Sequence, residues 1–77
     1  MLDTIEGEWE KALEAEPQNW RIMLAMTEFR QISARRDPKY IELARYQIDR
    51  ALILAPAVVA DNPVIRRQLA LENQQAP

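Results

Sequence analysis

Trp9-Glu-Lys-Ala-Leu-Glu-Ala-Glu-Pro17 and Ile48-Asp-Arg-Ala-Leu-Ile-Leu-Ala-Pro56 follow one pattern. Each reads bulky apolar, acid, base, Ala, Leu, three more residues, then Pro. The offset is constant, because Ala12 to Ala51 and Pro17 to Pro56 both differ by 39. A repeat of this period marks helical units that bury their apolar faces by stacking on one another. Such units usually serve contact between proteins rather than chemistry.

The pattern extends outward as four helices. The first is expected over residues 3–15. Leu2, Ile5, Trp9, Ala12 and Leu13 fall on one face, with Asp3 or Thr4 as cap and Pro17 as stop. The second is expected over residues 20–34, capped by Asn19. Its apolar residues, from Trp20 through Met23, Leu24 and Met26 to Ile32, make more than one stripe, as in a helix packed on two sides. The third is expected over residues 38–55. Asp37-Pro38 opens it, Ile41, Ala44, Ile48, Ala51, Leu52 and Ala55 form its face, and Tyr40, Leu43 and Leu54 widen that face. Asn62-Pro63 repeats the start signal for a fourth helix over residues 63–72, with Val64, Ile65, Leu69 and Leu71 as its stripe. Residues 73–77 read as a polar, fraying tail.

Ala44, Ile48, Ala51 and Pro56 resemble the second helix of a tetratricopeptide-type repeat, with small residues at the helix crossing and a closing proline. Ile5, Trp9, Ala12 and Pro17 match with Ile5 in place of the small residue, and Trp20 resembles the tryptophan that opens the next first helix. The period of 39 exceeds the family's 34. The resemblance implies an all-α, short antiparallel array of three to four helices. In it, residues 1–16 are the second helix of an incomplete repeat, 19–56 a complete one, and 62–72 a cap or half-repeat. The family holds peptides or partner helices in a groove lined by the first helix of each pair. That implies Arg21, Thr27, Glu28 and Gln31 as the partner-binding residues here. The family's clamping asparagines and lysines have no counterpart, so no specific ligand carries over.

Composition sets boundaries. The chain has 77 residues, no cysteine, no histidine and one glycine. Disulfides, the usual zinc, copper and haem ligands, and a glycine-rich phosphate loop are thereby excluded. Ser33 is the only serine and has no histidine to activate it. No cofactor, metal or catalytic residue is expected. Glu6, Glu10 and Glu14 form an i, i+4 ridge. As a functional feature it would bind a hard cation weakly; as a structural one it is a solvated face, and the second reading is preferred. Trp9 and Trp20 read as core rather than an aromatic cage, and Met23 and Met26 as core filling rather than an adaptable surface. Arg30, Arg35, Arg36 and Lys39 gather at one helix corner. The net charge of −2 and the lack of a recognition motif argue against nucleic acid.

Charge is unevenly spread. Residues 1–19 carry Asp3, Glu6, Glu8, Glu10, Glu14 and Glu16 against Lys11, while residues 20–55 hold a basic excess. The two halves are expected to attract each other within the fold. The apolar run from Ala51 to Ala60 contains Pro56 and is too short to span a bilayer. No secretory signal is evident, so the chain is expected to be soluble and cytoplasmic by default. The expectation is therefore a non-catalytic protein-interaction or assembly module with a protein or peptide partner. One alternative is the soluble tail of a larger bacterial envelope protein, periplasmic in that case, since polysaccharide ligases and cytochrome c maturation factors carry such repeats. Another is a self-associating structural subunit, a homo-oligomer paired through exposed repeat ends.

Overall fold

The computed structural model describes residues 2–75, with side chains from Thr4 onward. The fold is all-α. Helices α1 (Leu2–Ala15), α2 (Trp20–Ser33), α3 (Lys39–Leu54), α4 (Pro56–Ala60) and α5 (Pro63–Gln75) follow in order, with no strand among the described residues. The Cα atoms fill a slab of 38 × 33 × 15 Å. Two packed helices, with axes about 8–10 Å apart and Cα radii of about 2.3 Å, need roughly this least dimension, so the slab is two helices deep.

Local signals account for the boundaries. Asn19 Oδ1 accepts the backbone N–H of Arg21 at 3.0 Å, which caps α2. Asn62 Oδ1 accepts that of Val64 at 3.0 Å and caps α5 in the same way. Asp37 Oδ1 takes the N–H of Lys39 at 3.1 Å, and α3 begins one residue later than expected. Residues 34–38 are turn and irregular backbone, so α2 and α3 are separate helices.

Two clusters set the packing. The larger holds Leu13, Met23, Leu24, Met26, Ala51, Val59 and Val64, with Trp9 and Trp20 half-buried against it. The smaller holds Ala34, Tyr40 and Ile41, with Leu71 packed on it. The start of α2 thus meets the end of α3, and the end of α2 meets the start of α3, which makes the pair antiparallel. α5 runs alongside α2, from Val64 at the first cluster to Leu71 at the second. Ala44, Ile48 and Ala51 are fully buried, as expected of small and bulky residues alternating at a close helix crossing.

Several expectations are corrected. The described residues form five helices, because the link after Pro56 coils into α4. Pro56 suits a first helical position, and Val59 anchors the turn by complete burial. Residues 73–75 continue α5 instead of fraying, since glutamines are adequate helix formers and the helix is already nucleated; residues 76–77 lie outside the described part. Leu43 and Leu54 do not widen the buried face of α3 but are exposed, as are Tyr46 and Ile53. In α5 the buried row is Val64 and Gln68, while Leu69 is 49% exposed. The i, i+4 spacing from Val64 selects Gln68, and hydrogen bonding makes its burial tolerable.

Candidate protein-binding groove

Four titratable or amide side chains tie α5 to the α2–α3 pair. Gln31 Nε2 donates to the Val64 carbonyl at 2.9 Å and to Gln68 Oε1 at 3.2 Å. Gln68 Nε2 in turn donates to the Ile41 carbonyl at 2.8 Å and to Glu72 Oε2 at 2.9 Å. Arg45 closes the chain with two bonds of 2.7 Å to Glu72. This seat of α5 bonds both amide nitrogens and Gln68 Oε1 and leaves Gln31 Oε1 without a partner, so a different docking would strand still more buried amide groups. Arg45 holds the Glu72 carboxyl below its ordinary range by hydrogen bonding, assisted by Gln68 and opposed by burial.

Above this seam an open groove of about 350 Å³ runs between α2 and α5. Glu28, Gln31, Ile32 and Arg35 line one wall, and Arg67, Ala70 and Leu71 the other. Ile32 is 64% exposed beside half-buried Leu71. An apolar floor with two arginines and one carboxylate on its rim suits an apolar side chain flanked by negative charge.

The residues that the resemblance implied are dispersed. Glu28 lines the groove from an exposed position, and Gln31 reaches it from beneath while its amide holds α5. Thr27 does not line it. Its hydroxyl is fully buried and donates to the Met23 carbonyl at 2.8 Å, the intrahelical partner that an interior threonine finds most easily. Arg21 lies a full helix end away, with its guanidinium 4.8 Å from the Trp20 ring centroid. Ile32, Arg35, Arg67 and Leu71 were not anticipated as lining residues. Their proximity depends on how α5 docks, and no local spacing encodes that.

The other charged clusters have local roles. Arg30 is buried, and its Nε and Nη2 bind Glu6 at 3.2 and 2.9 Å while Nη1 donates to the Leu43 carbonyl at 3.0 Å. It therefore joins α1, α2 and α3, and Glu6 leaves the acidic ridge to serve it. Among the described residues no three acidic side chains converge as a metal site would need. No described helix is long and apolar enough to cross a membrane. Compared with known protein families, curated proteins and solved structures, the chain matches none.

Proposed function

We propose that this protein is a non-catalytic protein-interaction or assembly module of tetratricopeptide-like design. It takes a partner segment in the α2–α5 groove, and that segment carries an apolar side chain next to carboxylates. One observation carries the reading, the exposure of Ile32 beside Leu71 between Arg35 and Arg67. An apolar side chain left this open in a small domain forgoes burial worth roughly 1.5–3 kcal/mol, which a partner recovers. The repeat reading is supported by the matched segments and by the fully buried Ala44, Ile48 and Ala51 at the α2–α3 crossing.

Affinity capture from the native cell with the unaltered chain, beside Ile32→Asp and Arg35→Glu, tests this. A partner retained by the unaltered chain and lost with both variants is the expected result. Identical capture by all three removes the groove from the function. Self-association is a second reading, favoured by the exposure of Ile5 on α1 and Leu69 on α5.

A further inference from the structure

α1 and α3 carry the same sequence pattern at an offset of 39, yet their matched positions differ in burial. Ala44, Gln47 and Ala51 of α3 are buried under α2. Their counterparts on α1 are Ile5, which is 38% exposed, Glu8, which is exposed, and Ala12, which is half-buried. α2 and α5 are matched in turn by their asparagine caps, Asn19 and Asn62. In that register Met23, Met26 and Arg30, which are buried against α3 and also against α1, correspond to Arg66, Leu69 and Asn73, which are exposed. α1 is thus a second helix with nothing on its first-helix side among the described residues. α5 is a first helix with nothing on its second-helix side among the described residues.

From this complementarity we infer that the α5 face of one copy docks on the α1 face of the next, completing a helix pair between chains. The inference rests on the repeat reading above and names a second copy of this chain as a partner. The α2–α3 pair gives the contacts. Met26 packs in one cluster with Ala51, which places Leu69 on Ala12 of the next copy. Met23 and Ile53 line a single depression together with Arg50, which places Arg66 beside Glu14, with Lys11 at the edge. Charged Arg66 and Glu14 on these exposed faces make them tolerable in water and still selective for each other. The contact is heterologous, so it propagates head to tail rather than closing as a symmetric dimer.

Sedimentation velocity from roughly 1 to 200 µM, a range suited to weak contacts, reads the result directly. The unaltered chain gains mass with concentration and passes twice its 9.0 kDa. Leu69→Asp and Ile5→Asp each remain at the monomer mass, because each has one disabled end. An equimolar mixture of the two forms a one-to-one pair and nothing larger. Arg66→Glu and Glu14→Arg change only exposed side chains and serve if circular dichroism shows either aspartate variant unfolded. Each alone lowers association at least tenfold, and mixing them restores it. A chain that is monomeric throughout overturns the inference, as does a single variant that still dimerises, since that means a symmetric contact. Neither outcome touches the groove, whose Ile32-dependent capture is read separately.

Discussion

The segments that end in Pro17 and Pro56 share a pattern but occupy different surroundings. In α3, Ile48 and Ala51 are fully buried, and Ala51 shares a cluster with Met23 of α2, Val59 of α4 and Val64 of α5. In α1 the corresponding Trp9 and Ala12 are only half-buried, and α1 packs chiefly on α2. α3 is held by apolar close packing, whereas α1 depends more on one buried ion pair, Arg30 with Glu6 at 2.9 Å. A repeated pattern therefore encodes which face a helix offers, and its neighbours decide how much that face contributes.

The largest expected effect is on the ion pair. Glu6→Ala strands a guanidinium whose side chain is 8% exposed, leaving only the Leu43 carbonyl as partner. Breaking a buried pair from one side costs about 3 kcal/mol. A urea titration that shows a loss below about 1 kcal/mol would mean that apolar contact alone holds α1, and the contrast with α3 would disappear.

Substituting the matched alanines compares the two faces directly. Ala51→Leu overpacks a closed crossing and destabilises by about 1–3 kcal/mol. Ala12→Leu stays within roughly 0.5 kcal/mol, because Ala12 is only half-buried. Equal losses in thermal or urea unfolding would show α1 to be as enclosed as α3.

The smallest effect concerns the pair that joins α3 to α5. Glu72 ionises more readily in the folded chain than its ordinary value near 4.5, chiefly through the Arg45 hydrogen bond. Its contribution is complete above that value and is lost as pH falls through the lower folded value. Both side chains are about one-third exposed, at 34% and 33%, so solvent screens the pair and the contribution stays below about 1 kcal/mol. Glu72→Gln removes that part of the acid dependence while leaving stability at neutral pH slightly lower. An unchanged acid profile would show that the Arg45–Glu72 pair adds nothing to the attachment of α5, leaving it to the glutamine seam and to Val64 and Leu71 in the core clusters.

The chain order of helices was legible because caps and stops are local chemistry. Asn19, Asp37 and Asn62 each bond a backbone N–H two residues on, and Pro17 and Pro56 cannot continue a helix. The centre of α3's buried face was legible for the same reason, since periodicity reports orientation about a helix axis, whereas α2 buries Thr27, Arg30 and Gln31 and exposes Ile32 from the expected apolar set. Val59 and Gln68 were less so. A five-residue helix has too few turns for periodicity, and a buried glutamine reads as polar until its partners are known.

The groove belongs to tertiary structure. Glu28 and Gln31 could be placed on the right helix, but Thr27, one position from Glu28, turned inward because the rotation of α2 was decided by two neighbours at once. Ile32 on α2 and Arg35 in the turn after it meet Arg67 and Leu71 on α5 only after the Gln31–Gln68 seam sets the separation of the helices. Sequence by itself determined an all-α chain with a 39-residue internal match, because helix propensity, capping and periodicity act over a few neighbouring residues. Tertiary structure decided which of those faces were covered and which stayed open, because burial is a property of surfaces brought together from distant parts of the chain.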